Sequence, residues 1–334
     1  MPELRSPAAP ALSCHRLRSG LVILVALFGL GGAAQAQEAM RVAEVVTGNE
    51  RALLATMAAA GLDTSNGFKL VTRPYGSEEE ARQALLKGDV DVIRTDWLWA
   101  ARQRAGGADI ACVAASIAPA AVMVPRNSQI TALADLVDRR IGIGHDAGNP
   151  TWLMIRAAAL SASRLNLDLT ARTFGPLPGL AGQLRAGTID ALVADAPEAA
   201  MLARQGHVRL IGSDALARGF GVEGQIPTAV WAFRDAGMQR KPTSLSAFFA
   251  ASRAASHLLA SDAKTWIPLA RLYPGADTAM LASLRAAHAD GEVTHWGALD
   301  SARLNDLAKR LAQVLGPEVP APLPAGLMRD DLTF

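Results

Sequence analysis

One block of this chain occurs twice, and it limits the fold more than any other feature. Gly88-Asp89-Val90-Asp91-Val92-Ile93 returns as Gly187-Thr188-Ile189-Asp190-Ala191-Leu192. Each copy follows a helical stretch ending in Leu-x-x-Gly, and each precedes an aspartate, Asp96 or Asp195, that opens another helix. Two similar halves are implied. Short β-like runs alternate with longer helical stretches around both copies, which argues for an α/β protein with mostly parallel sheets. The predicted strands cover 41–46, 68–73, 90–95, 110–115, 120–125, 140–144, 169–174, 189–194, 208–211 and 228–233. Helices are predicted between them at 50–60, 78–86, 97–105, 133–137, 151–163, 177–186 and 196–204. Beyond Pro242 strand signals stop, and amphipathic helices are expected at 245–259, 263–272, 278–289 and 301–315. A Pro-rich tail over 316–324 cannot extend the last helix and is expected to run over the surface. Segments 120–125 and 228–234 would connect the halves as a double hinge. Ligands of open α/β sheets sit at the carboxyl ends of strands and between lobes, so the cleft is the expected site.

The N-terminus reads as an address. Arg5, Arg16 and Arg18 precede an apolar run from Leu21 to Leu30, and Gly31-Gly32-Ala33-Ala34-Gln35-Ala36 supplies the small residues of a cleavage site. The run is about half the length that spans a bilayer as a helix, so residues 1–36 are expected to be a cleaved signal peptide and the mature chain an exported, periplasmic one. The chain has 33 basic and 31 acidic residues; the leader carries three of the arginines and one glutamate, leaving 30 of each. A neutral mature chain argues against nucleic acid as a partner. Cys14 lies ahead of the apolar run, where it could not carry a lipid anchor, and Cys112 in Ile110-Ala111-Cys112-Val113 reads as a buried small apolar residue.

A run of motifs in fixed order carries a family likeness: Tyr75-Gly76-Ser77, then Ala84-Leu85-Leu86-Lys87-Gly88-Asp89-Val90-Asp91-Val92, then Val124-Pro125-Arg126-Asn127-Ser128-Gln129-Ile130, then Leu133-Ala134-Asp135-Leu136-Val137-Asp138-Arg139-Arg140-Ile141-Gly142, and Leu184-Arg185-Ala186-Gly187-Thr188-Ile189-Asp190-Ala191. This order resembles the nitrate, sulfonate and taurine (SsuA-like) class of periplasmic solute-binding proteins of ABC importers, over roughly residues 41–233. The resemblance implies an α/β, two-lobed periplasmic-binding-protein fold, type II-like, with a double hinge and C-terminal helices. Lobe I would comprise 37–123 with 232–334, and lobe II 124–231. It also implies a non-enzymatic, monomeric subunit that closes on a small solute and presents it to an ABC permease, with no cofactor and no metal.

Carried over position by position, the resemblance puts the cleft at strand-to-helix turns holding Asn49, Ser77, Asp96, Trp97, Ser116, His145, Asp146, Asn149, Thr151, Trp152, Asp195 and Glu198. Sulfonate-binding relatives carry a serine-rich turn where this chain has Gly144-His145-Asp146-Ala147-Gly148-Asn149. An aspartate beside a bound anion costs about 1 kcal/mol or more at an effective dielectric near 20. The acids at Ser77–Glu80, Asp96 and Asp195–Glu198 add to that, and Trp97, Trp99 and Trp152 offer aromatic faces, so an aromatic or cationic solute is expected. Each of these residues also has a structural reading. Ser77, Asp96, Asn49, Asn149 and Asp195 suit helix caps, and tryptophans on helices fill cores. Replacing Trp97 by alanine is expected to weaken binding with little loss of stability. His288 and His295 flank a turn and are expected to be exposed.

No phosphate-cradling loop, zinc-type spacing or nucleophile elbow is present in the sequence. Two other classes remain open: an accessory or sensor protein on the same fold serving a periplasmic dehydrogenase system, for which Asp96-Trp97-Leu98-Trp99 is the motivating departure, and an enzyme on that fold.

Overall fold

The structure is a computed structural model and describes residues 37–332. The expected leader lies outside the described residues. The first stretch runs β1 (Glu38–Val45), α1 (Glu50–Ala59), α2 (Leu62–Ser65), β2 (Phe68–Tyr75), α3 (Glu78–Lys87), β3 (Val92–Thr95), α4 (Trp97–Ala105) and β4 (Ile110–Ser116). The second runs β5 (Ala121–Val124), β6 (Arg140–Gly144), α5 (Pro150–Ser163), β7 (Ala171–Gly175), α6 (Leu177–Arg185), β8 (Ala191–Ala194), α7 (Ala196–Arg204), β9 (Val208–Gly212) and α8 (Ser213–Gly219). The chain then returns through β10 (Ala229–Arg234), α9 (Asp235–Arg240), α10 (Pro242–Ser261), α11 (Thr278–Ala289) and α12 (Ala298–Leu315).

Two five-stranded sheets result, ordered β2-β1-β3-β10-β4 and β7-β6-β8-β5-β9. Position for position they are the same sheet. In each, four strands run the same way, and the fourth place is taken by an antiparallel strand supplied from the other half of the sequence, β10 in the first and β5 in the second. The sheets are thus mostly parallel, as expected, and mixed only through that one exchanged strand. The expected hinge segments are these exchanged strands, and the crossings lie just ahead of them, where Thr228 donates its N–H to the carbonyl of Ser116 at 2.8 Å.

The repeated block has a physical job. Gly88 (φ 82°) and Gly187 (φ 70°) take the left-handed backbone that ends α3 and α6. Three residues on, Asp91 accepts from the backbone N–H, Nε and a terminal nitrogen of Arg41 at 2.9, 3.1 and 2.7 Å. Asp190 makes the same three bonds to Arg140 at 2.8, 3.0 and 2.6 Å. In both halves the aspartate, just ahead of β3 or β8, clamps that strand to the neighbouring β1 or β6 and so helps fix their register.

Strands β1, β3 and β10 are buried on both faces, which is why they read as apolar runs. Met40, Val42, Trp231 and Phe233 pack with Phe248 and Phe249 of α10 on one face, and Ala43, Val45 and Ile93 face the other way toward α3 and α4. The C-terminal helices do not stay with the first sheet. Helix α10 packs on α1, α11 on α7 of the second half, and α12 on α5, where Leu304, Leu307, Ala308 and Leu311 join Trp152 and Ile155 in one core. The tail then returns to the first sheet: Cys112 donates its N–H to the Leu327 carbonyl at 2.7 Å and accepts from Arg329 at 2.9 Å. Residues 263–272 form two 3-10 turns rather than one helix, with Pro268 interrupting the ladder.

Candidate functional site

The carboxyl ends of β1, β2, β3, β6, β7 and β8 converge on one cavity of about 340 Å³ between the two sheets. Of the residues expected there, Asn49, Ser77, Asp96, Trp97, His145, Asp146, Asn149, Thr151 and Asp195 line it. Three do not. Ser116 belongs to the crossing, where its Oγ accepts from the N–H of Ala118 at 3.2 Å, and it borders a separate cavity of about 40 Å³. Trp152 lies on the inward face of α5, 1% exposed, in the core shared with α12. Glu198 is 8% exposed on α7 and lines neither cavity; burial pushes its carboxyl up to about 6.

Hydrogen bonds separate the helix caps from the rest. Ser77 accepts from the N–H of Glu80, Asp96 from that of Trp99, and Asn149 from those of Thr151 and Trp152. These three side chains take up one N–H each of α3 and α4 and two of α5, and Asp96 adds a negative charge at the start of α4, which makes these helix starts less favourable to an anion. Asn49 and Asp195 occupy the same position before α1 and α7 but make no cap bond. Instead the Asn49 amide donates to the Asp195 carboxylate at 3.2 Å, across the cleft.

Trp97 borders the cavity but is 1% exposed, its ring packed with Ile93 and Leu98 in the core. Trp99 stacks on a guanidinium, Arg82, with 5.3 Å from its carbon to the ring centroid. No tryptophan turns a free face to the cavity, and the aromatic part of the expectation loses its support.

The centre of the site is Arg82, whose side chain is 4% exposed. It donates to Thr95 Oγ1 at 3.0 Å, Glu78 at 2.9 Å, Asp96 at 2.6 Å and Asp146 at 2.6 Å. His145, in the left-handed region at φ 71°, lies between two more carboxylates, with Nδ1 2.9 Å from Glu78 and Nε2 3.1 Å from Asp195. Arg82, Glu78, Asp96 and Asn49 come from the first half; Asp146, His145 and Asp195 come from the second. Three polar bridges therefore span the cleft: Arg82–Asp146, Glu78–His145 and Asn49–Asp195.

The charges settle one another. Burial works to raise the Glu78 carboxyl, but His145, Arg82 and the Thr95 hydroxyl outweigh it and bring it down to about 2. Burial would lower His145, yet Glu78 and Asp195 hold its imidazolium well above the usual range. Asp96 moves up, because burial and the nearby Glu78 and Asp146 outweigh its share of Arg82. Among the described residues no group of three or more histidine, cysteine or acidic side chains is placed to hold a metal ion.

Sequence reasoning passed over three contributors. Arg82 sits mid-helix and reads as a solvated surface arginine, although Glu78 four residues earlier was the available signal. Arg94 breaks the apolar run of β3, and Glu50 starts α1; both border the large cavity and the small one. His288, expected on the surface, is half-buried beside the small cavity, where its ring is 3.0 Å from Ser256 Oγ and burial brings it down to about 4.

A family model described as NMT1/THI5 like matches residues 58–264. The chain belongs to the NMT1/THI5-like family. No curated protein matches the chain. Among solved structures it resembles the alkanesulfonate-binding protein SsuA of Xanthomonas axonopodis pv. citri bound to MOPS, at a TM-score of 0.69 and 17% identity, covering 87% of this chain and 98% of that one. It resembles the periplasmic aliphatic sulphonate binding protein SsuA of Escherichia coli at 0.64 and 18%, covering 84% and 95%. The desulfurization enzyme DszB is similar at 0.54 and 15%, covering 86% and 95%. At these identities the likeness establishes the two-lobed periplasmic-binding-protein fold.

Proposed function

We propose that this NMT1/THI5-like protein is the periplasmic solute-binding subunit of an ABC importer, acting as a monomer that closes on a small solute bearing a cationic group and delivers it to a membrane permease. The observation that carries this reading is the 340 Å³ cavity between two repeated sheets, with bridges from the helix starts of one half to those of the other. Such bridges suit a closed state held by contacts that a hinge can break. The name of the sulphonate-binding relative from Escherichia coli and the leader expected over residues 1–36 support a periplasmic location.

The preference for a cation rests on the lining. Glu79, Asp146 and Asp195 border the cavity with Glu78 and Asp96, while the helix N-termini that would favour an anion are partly taken up by their own caps. Catalysis finds little support. His145 is the only imidazole lining the cavity among the described residues, and both its nitrogens face carboxylates, so it is not placed to activate a hydroxyl. The Asp96-Trp97-Leu98-Trp99 segment that motivated an accessory role is accounted for by capping, core packing and stacking on Arg82.

The test is a thermal-shift screen of the chain from residue 37 with amines, sulfonates, nitrate and pyrimidines. A solute at a hundred times its dissociation constant adds about 2.7 kcal/mol to the folded state, about 5 °C for a chain of this size. A shift with amines is expected. Shifts confined to sulfonates or nitrate overturn the cation preference, and no shift with any solute overturns the binding reading.

A further inference from the structure

Among the described residues one arginine borders the large cavity, and its guanidinium has no hydrogen-bond or ion-pair partner there. Arg94, on β3 in register with Trp231 of β10, is half-buried and borders both cavities. Its side chain makes no hydrogen bond or ion pair with any described residue, whereas the Arg82 side chain, on the adjoining helix α3, makes four. Its charge acts on Glu50, Tyr273 and His288 around the small cavity, but Glu50 makes no ion pair with it: Glu50 Oε1 accepts the N–H of Val45 at 2.7 Å, and the carboxylate curls over Gly48 so closely that a side chain there would collide with it. A guanidinium presents five donors in a planar fork, and holding it half-buried without acceptors is costly.

An anion in the cavity has few other places to go. One first-turn N–H each in α3 and α4, of Glu80 and Trp99, and those of Thr151 and Trp152 in α5 already have acceptors in Ser77, Asp96 and Asn149. A solute that is only anionic would meet Glu79, Asp146 and Asp195 along the rest of the lining, and one that is only cationic would leave Arg94 bare. Asp195 bonds His145 and Asn49 through Oδ2, and its Oδ1 makes no hydrogen bond to a described residue.

We propose that Arg94 is the anchor for a carboxylate on the solute, so that the cleft selects a small amino carboxylate, with its carboxylate on the Arg94 fork and its ammonium group toward Asp195. Planar carboxylates match the guanidinium fork with two parallel bonds. The proposal rests on the solute-binding reading above and names the class of solute.

Calorimetric titration of the chain from residue 37 tests it with matched sets: the ω-amino carboxylates from glycine to 6-aminohexanoate, the corresponding alkylamines and alkyl carboxylates, and taurine. At least one amino carboxylate is expected to bind about tenfold or more tighter than its amine and its carboxylate, as a charged hydrogen-bonded pair requires. Arg94→Lys keeps the charge beside Glu50 and loses the fork, and it is expected to bring the ratio of amino carboxylate to amine toward one. Arg94→Gln is the second variant, each being checked for an apo melting temperature near that of the wild type. Equal affinity for amine and amino carboxylate, an unchanged ratio in both variants, or tighter binding of taurine than of every amino carboxylate overturns the assignment of Arg94 and leaves solute binding standing. No binding of these compounds or of the wider screen overturns both.

Discussion

Replacing Arg82 by methionine removes the one cation that Glu78, Asp96 and Asp146 share, and fills most of its volume. Arg82 is 4% exposed at its side chain, Glu78 17% and Asp96 15%, while Asp146 is 48% exposed. The Asp146 bond is therefore largely screened, and the cost comes from Glu78 and Asp96. Breaking a buried pair by deleting one partner costs about 3–5 kcal/mol, because the remaining charge stays desolvated. A second route gives a similar size: a carboxylate brought from 4.5 to about 2 in the folded state holds about 3 kcal/mol of stability at neutral pH. His145 supplies part of that, so the Glu78 share of the Arg82 effect is smaller, and Asp96 makes up the difference.

The pH dependence separates this electrostatic account from simple loss of packing. Glu78 has a folded pKa below its unfolded one, so in the wild type its contribution is present above about pH 4.5 and is lost as pH falls toward 2. In Arg82→Met the carboxylates are raised instead, and protonation relieves them as pH falls. Urea unfolding of both proteins between pH 7 and pH 3 is expected to give a deficit of about 3–5 kcal/mol at pH 7 that shrinks to about 1 kcal/mol at pH 3. A deficit below about 1 kcal/mol at pH 7, or one constant across the range, refutes the shared-cation account.

His145 has a folded pKa raised above its unfolded value, so its bridge stabilises fully below about pH 6.5 and is lost as pH rises through the folded pKa. Wild-type melting temperature is expected to fall relative to His145→Gln on the alkaline side, with a larger radius of gyration in solution scattering as the cleft opens; parallel melting curves would count against the bridge. Trp97→Ala, expected from sequence to spare the fold, is predicted from its 1% exposure to cost about 3–5 kcal/mol in urea unfolding; a loss under about 1 kcal/mol would return the ring to the cavity. The Cys112 thiol is fully buried and pushed up by that burial, so a disulfide-exchange reagent is expected to label it slowly in the native protein and promptly in urea. Prompt native labelling would show that the tail strap over β4 opens readily.

How far the sequence reaches depends on what each residue type is asked to do. The strands were legible because two-faced burial leaves uninterrupted apolar runs, and the duplicated block marked the symmetry because the same clamp, Arg41–Asp91 and Arg140–Asp190, is needed twice. Pairing was not legible: nothing in β5 or β10 says that each crosses to the other half's sheet, since a buried strand reads the same in either direction. Short α8 and α9 lack the length over which a helical period shows. At the site, Ser77, Asp96, Asn149, Asn49 and Asp195 are one chemical class at one position, and only geometry separates three caps from two cleft residues. That separation changes the electrostatic argument. Acids read as lining charges are in part caps and in part partners of Arg82 and His145, so the net demand on a ligand is set by what stays without an ionic partner, Arg94 on β3, Glu79 and one oxygen of Asp195 among them. Both signs of charge remain open on facing halves, and a solute that satisfies both would close the cleft by joining them.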